Sequence, residues 1–364
     1  MFEFIIYVYD ATFPLSTQAE RQEENAPRGA NLHFLEHRRR EGCTIETPVQ
    51  PAAREARLAM VYDPIYLEHD TGAHPENAER LRHATAALQA AGRFERAAVV
   101  RPRRATEAEV ERVHAAEYVA GVREACRQGR RRLDPDTAVC PASYEVAMWA
   151  AGGAITALEA VMDCRFDRAL ALVRPPGHHA LPARSMGFCL FNNVAVAARH
   201  ALEVYGLERI LVVDWDFHHG NGTEEIFYED PRVLFFSIHS RYGYPGTGHA
   251  GRVGRGEGAG FNINVPLSDS AGDAGCEAAF REVLVPAAGD YRPELVMVSA
   301  GQDGYYADPL GGLGLTTAGY GRLAGLVREI AEAHCGGRIV AALEGGYHLK
   351  GLAESLGAVL DAWT

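Results

Sequence analysis

Ile210-Leu-Val-Val-Asp214-Trp-Asp216-Phe-His218-His219-Gly-Asn221-Gly-Thr223 is the stretch on which the fold turns. An unbroken apolar run leads straight into acids and histidines, then into Gly-Asn-Gly. Such a run, too short for a helix and closed by glycine, reads as a strand buried on both faces. The same kind of run recurs at Arg57–Tyr62, Ala169–Val173, Val233–Ile238, Leu295–Val298 and Ile339–Leu343. Longer alanine-rich amphipathic stretches lie between several of them, at 76–91, 143–163, 193–205, 275–289 and 317–335. Strands without alternation, separated by helices, predict an α/β fold of three α/β/α layers around a central, mostly parallel sheet. Three further runs also end in polar clusters: Arg174-Pro-Pro-Gly-His178-His179, Ser299-Ala-Gly-Gln-Asp303 and Glu344-Gly-Gly-Tyr347. Sites in parallel sheets form beyond the carboxyl ends of the strands, so these clusters are expected to converge.

The residue types name a chemistry. If the strand persists, Asp214, Asp216 and His218 point one way, because side chains alternate faces. An Asp-x-His pair offers one carboxylate oxygen and one imidazole nitrogen to a cation, and Asp303 is the natural third ligand. Three such ligands and an open position make a catalytic zinc site. Iron, cobalt and manganese accept the same donors. A second ion is disfavoured, since Tyr305 and Gly220 stand where further ligands would be needed. His178 and His179 follow a Pro-Pro-Gly turn and suit acid and base roles near neutral pH. Tyr347, after two glycines, is a candidate donor to a developing oxyanion. Gly187-Phe188-Cys189 and Tyr244 are candidate walls of a narrow pocket.

Bulk properties narrow the function. The chain has 364 residues, 47% hydrophobic, with a net charge of −12. That balance argues against nucleic-acid and anionic-membrane binding. Seven cysteines, widely spaced and without a Cys-x-x-Cys pair, read as free thiols in a reducing compartment. The apolar start has no basic flank and meets Asp10 early, which makes it a poor signal peptide. A cytoplasmic protein, monomeric or homo-oligomeric, is expected. Residues 1–57 read as an N-terminal extension, with Arg38, Arg39 and Arg40 as solvated surface. Residues 58–364 read as the catalytic domain.

With these residues in hand, the chain resembles the zinc-dependent histone deacetylase and acetylpolyamine amidohydrolase family, which has the arginase–deacetylase fold, and its class II-like bacterial branch in particular. The likeness runs from about residue 60 to the end. It is carried by His74-Pro-Glu76, RPPGHHA, GFCLFNNVA, VVDWDFHHGNGT, SIHS, PGTG, SAGQDG, DPLGG and LEGGYH. The resemblance implies a deacetylase that releases acetate from acetyl-lysine in proteins or peptides; the alternative is an amidohydrolase of acetylpolyamines or other small acylated amines. It implies one Zn2+ on Asp216, His218 and Asp303, with His179 as general base and His178 and Tyr347 assisting. It places Gly187, Phe188, Tyr244 and Leu310 around the substrate. It also implies a structural K+ at Asp214 and Ser237, completed by the carbonyls of Asp216, His218 and Ile238. Asn221 stands beside the base where some relatives have Asp, so His179 should protonate less readily. Leu310 stands where a polyamine-selective relative has Glu, and Gln302 where Phe is frequent.

Overall fold

The computed structural model describes residues 57–364; the N-terminal extension, with its basic patch and Cys43, lies outside the described residues. The expected strands form at Leu58–Val61 (β1), Arg168–Ala171 (β3), Ile210–Asp214 (β4), Val233–Ser240 (β5), Leu295–Ala300 (β7) and Ile339–Leu343 (β8). Two more, Ala98–Val100 (β2) and Asn262–Leu267 (β6), complete an eight-stranded sheet in the order β2-β1-β3-β8-β7-β4-β5-β6. Every pairing is parallel, so the expectation of a mostly parallel sheet is sharpened to a wholly parallel one among the described residues.

The strands that escaped the sequence reading are the two edges. Edge strands are covered on fewer sides and do not need continuous apolar runs. β2 is largely exposed. β6 instead alternates, turning Asn262 and Asn264 onto the buried Glu224 carboxylate at 2.9 and 2.6 Å. Pro266 is tolerated in β6 because one side of an edge strand makes no ladder bonds.

Helices cover the sheet at Glu79–Ala90, Ser143–Met162, Asn193–Val204, Thr317–Cys335 and Leu349–Trp363, among others. Ser143–Met162 is long and apolar enough to cross a membrane, yet 78% of its most apolar window is buried inside the fold. It is the core helix of the layer, and its burial accounts for its apolarity. The central strands β3, β8, β7 and β4 bring their carboxyl ends to one edge of the sheet, and all four polar clusters lie there.

Candidate active site

β4 ends at Asp214, and from Trp215 the chain is a loop. Strand alternation therefore does not orient Asp216 and His218, contrary to the expectation from their spacing. Asp214 turns to His178, with Oδ2 3.0 Å from its Nδ1. The loop is shaped by carboxylates that accept main-chain amides. Asp214 Oδ1 accepts from Asp216 N at 3.1 Å, and Asp216 Oδ1 from His218 N at 2.9 Å. Asp303 Oδ1, beyond β7, accepts from Phe217 N, and Asp216 Oδ2 accepts from Gly345 N beyond β8, each at 2.9 Å. Three strand ends are thus joined through two carboxylates.

The result is a compact donor cluster. Ligand atoms of Asp216, His218 and Asp303 all lie within 4.8 Å of one another. His218 Nδ1 is 3.1 Å from Asp216 and 3.0 Å from Asp303. Gly345 makes the approach feasible: a Cβ there would lie 2.3 Å from Asp303 Oδ2 and 2.6 Å from Asp216 Oδ2. Burial, then the Asp216 charge, push the Asp303 carboxyl up to about 7. Burial opposes protonation of His218, but hydrogen bonds to Asp216 and Asp303 overcome it and push the imidazole up to about 10. Two buried carboxylates facing one imidazole are short of positive charge, and their mixed oxygen and nitrogen donors suit a divalent cation of intermediate softness.

The two histidines of the RPPGHHA loop are suspended above this cluster. Glu344 Oε2 accepts from Gly177 N at 2.6 Å and from His178 N at 3.1 Å. Arg174, wholly buried, grips Glu76 through Nε and Nη2 at 2.6 and 2.8 Å. The two imidazoles lie 4.0 Å apart, centroid to centroid, and have opposite surroundings. Burial would neutralise His178, but Asp216 and Asp214 raise it well above the usual histidine value. Burial, then the charges of His178 and His218, hold His179 well below that value. His179 is hard to protonate, but the cause is burial and the neighbouring imidazoles; the hydrogen bond to Asn221 pulls the other way, so the expectation drawn from the neutral amide is not the reason. Its Nδ1 is 2.7 Å from Asn221 Oδ1.

A cavity of about 220 Å³ opens onto these groups, lined by His178, His179, His218, Gly187, Phe188, Tyr244, Leu310 and Tyr347, with Asp136. Phe188 meets Tyr347 edge-on at 5.9 Å, and Tyr244 meets His179 edge-on at 5.2 Å. Phe188 has φ 69°, a left-handed backbone that places its ring on the wall. Tyr244 and Leu310, 40% and 39% exposed, are at the mouth. A larger open groove of about 530 Å³ lies elsewhere, by Glu229, Asp230, Arg232 and Arg255. Its charges pair with one another, Arg232 with Asp230 and Arg255 with Glu229.

The Histone deacetylase domain matches residues 74–363. The chain belongs to the histone deacetylase family. It is similar to a probable deacetylase of Archaeoglobus fulgidus, 41% identical over 295 residues, which are 80% of this chain and 82% of that one. It is 42% identical over 294 residues to a human polyamine deacetylase, covering 77% of this chain and 43% of the human one. Among solved structures, the HDA15 HD domain superposes with a TM-score of 0.81 at 38% identity, covering 85% of this chain and 88% of that domain. The fold is therefore that of a hydrolytic deacetylase domain.

The structure brings every sequence-predicted site residue to this edge of the sheet. Ser237 is the cross-strand partner of Asp214, and its hydroxyl lies 2.8 Å from His239 Nδ1. Sequence reasoning missed the supports. Asp308 accepts from Tyr347 N and His348 N at 2.7 and 2.9 Å. Arg80 donates to the Gly346 and Glu344 carbonyls and stands 4.9 Å over the Tyr347 ring. Glu344 and Asp308 lay inside the quoted motifs LEGGYH and DPLGG, and Arg80 follows His74-Pro-Glu76 by four residues. Their role became legible only once the strand ends were adjacent.

Proposed function

We propose that this chain is a zinc-dependent amidohydrolase that hydrolyses acetylated amines to acetate and free amine, with acetyl-lysine in peptides or proteins as substrate. The observation that carries the reading is the narrow cavity whose walls and floor join the Asp216, His218 and Asp303 cluster to His178, His179 and Tyr347. Residues 58–364 act as the catalytic domain, in the cytoplasm.

One zinc per chain would be held by Asp216, His218 and Asp303. Bound there, it supplies a Lewis acid that polarises the amide carbonyl and lowers the pKa of a water. The residues of the chain do the rest. His179 is neutral, and with Nδ1 turned to Asn221 it presents Nε2 to a water in the cavity and takes its proton. The water oxygen adds to the carbonyl carbon. His178, kept charged beside Asp214, stabilises the oxyanion side and assists protonation of the leaving nitrogen as the C–N bond breaks. The Tyr347 hydroxyl donates to the carbonyl oxygen as charge develops. Phe188 and Tyr244 flank the extended acyl-amine and exclude water, with Gly187 leaving room between them. A structural K+ between Asp214 and Ser237 belongs to the same proposal, supported by their cross-strand pairing.

Leu310 at the mouth supports the peptide reading, since it offers no charge to a polyamine. Acetylpolyamines and other small acylated amines are the second reading, favoured by likeness to a relative named as a polyamine deacetylase. Turnover of an acetyl-lysine peptide, acetylspermidine and acetylputrescine, with metal analysis of the same sample, tests both. Tyr347→Phe should lower kcat about 100-fold if the hydroxyl is an oxyanion donor. Near-normal turnover removes it from the reaction.

A further inference from the structure

Asn221 joins His179 to a residue that no part of the proposed reaction uses. Its side-chain Oδ1 is 2.7 Å from His179 Nδ1, and its Nδ2 is 3.3 Å from the sulfur of Met186. The Asn221 main chain is fixed, since its N–H donates to His219 O at 2.8 Å and the residue opens the helix Asn221–Phe227. Only the side-chain torsions are free to choose which end of the amide faces the imidazole.

That choice decides the chemistry of His179. An amide oxygen toward Nδ1 requires Nδ1 to carry the hydrogen and leaves the Nε2 lone pair free for the cavity. An amide NH2 toward Nδ1 would donate to it, force the hydrogen onto Nε2 and remove the base. A thioether has lone pairs and no hydrogen. It can accept from the NH2 end and has nothing to offer the oxygen end. Only one amide orientation therefore satisfies both neighbours. Arg184 Nη2, 3.5 Å from the same sulfur, is a second donor there and confirms the sulfur as the acceptor.

We propose that Met186 is a positioning residue: its sulfur fixes the Asn221 amide, and through it the His179 tautomer with an unprotonated Nε2. The inference rests on the reading of His179 as general base.

The test compares Met186→Leu in two backgrounds, wild type and Asn221→Asp, on the full chain loaded with zinc. Leucine keeps the volume and loses the acceptor, a swap that cores tolerate well. In the wild-type background kcat on an acetyl-lysine peptide should fall about 3–10-fold with KM unchanged, as expected when a weak orienting bond is lost. In the Asn221→Asp background the same change should have no effect, because both carboxylate oxygens accept and there is no wrong orientation. Nitrogen NMR of the imidazoles, with the His179 signal assigned by its loss in His179→Asn, should show the Nε2–H tautomer appearing in Met186→Leu alone. An unchanged tautomer, or an equal fall of kcat in both backgrounds, overturns the proposal and leaves Met186 as packing. Full turnover by His179→Asn would instead sink the base assignment, and the tautomer measurement would still decide the role of Met186.

Discussion

Asp308 and Tyr347 are tied main chain to side chain: one carboxylate oxygen of Asp308 accepts the Tyr347 N–H at 2.7 Å and the His348 N–H at 2.9 Å. The Gly345-Gly346 segment before Tyr347 has little intrinsic stiffness, and Gly346 has φ 119°. The carboxylate therefore sets where the phenol begins. Asp308→Ala should cost about 1–3 kcal/mol of stability, because the Tyr347 and His348 amides and the Leu310 amide, 3.0 Å from the other carboxylate oxygen, all lose their acceptor. It should also lower kcat more than it raises KM, because the phenol is the part displaced. Steady-state kinetics beside a denaturation curve check both; unaltered kcat would mean the loop holds itself.

Glu76 is buried between two arginines, Arg174 and Arg80, which also reach the carbonyls of Tyr66, His69, Glu344 and Gly346. Burial alone would protonate its carboxyl, but Arg174 and then His69 and Arg80 keep it far below the usual carboxylate range. Glu76→Gln preserves the shape and strands two buried cations. A loss of about 3–5 kcal/mol is expected. Urea unfolding measures it, and a loss below about 1 kcal/mol would show that the guanidinium groups are satisfied by carbonyls alone.

Stability should fall on mild acidification. His69 and His114 are buried, and burial lowers each from 6.5 to about 4, against the opposing pull of Glu76 on the first and of the Leu181 carbonyl on the second. Between those values the unfolded chain binds more protons than the folded one, so stability decreases as pH falls from 6.5 and levels near 4 for these groups. Each accounts for on the order of 3 kcal/mol across that window. His114 Nδ1 faces the Leu181 carbonyl and Nε2 accepts from Asn192 N. Glutamine at 114 offers a similar donor and acceptor without titrating. His114→Gln should therefore flatten the slope of unfolding free energy against pH, and an unchanged slope would assign the effect to other groups.

What was legible in the sequence follows what each residue had to do. The strands β1, β3, β4, β5, β7 and β8 are buried on both faces and had to be apolar. The edges β2 and β6 did not, and β6 spends alternate positions on Asn262 and Asn264 to satisfy Glu224. Asp216, His218 and Asp303 could be paired from strand-end placement, although the reason offered, side-chain alternation, fails past Asp214. The orienting groups Glu344, Asp308, Arg80 and Met186 act across distances in sequence that no local pattern encodes. Met186 is 35 residues from the amide it touches.

Gly187 has φ 55°, and a Cβ there would lie 2.2 Å from His179 Cδ2 and 3.0 Å from the Tyr244 ring. Gly187→Ala therefore pays twice, in backbone strain and in displacement of the imidazole. Activity should drop at least about 100-fold, since even a shift near 1 Å disrupts reacting geometry. The wall is peripheral to the sheet, so the melting temperature should move little. A variant that keeps its activity would show that His179 has freedom to yield.

Leu310 is an exposed apolar side chain at the rim of the cavity. It is 39% exposed, lines the mouth, and follows Asp308, whose carboxylate is already engaged with the Tyr347 loop. Its isobutyl group offers contact area to any linker and no charge to a secondary ammonium. Leu310→Glu places a carboxylate in a half-solvated position where an ion pair is worth about 1 kcal/mol. The ratio of kcat/KM for acetylspermidine to that for an acetyl-lysine peptide should rise about 5-fold, and added salt should erase part of the gain. Acetylputrescine carries one charge, at the chain end, and acetylspermidine carries two, a secondary ammonium along the chain and a primary one at the end. A preference gained for spermidine over putrescine would locate the new contact at mid-chain. An equal gain for both would place the new contact at an ammonium the two substrates share, and no gain would place position 310 outside the path of the substrate.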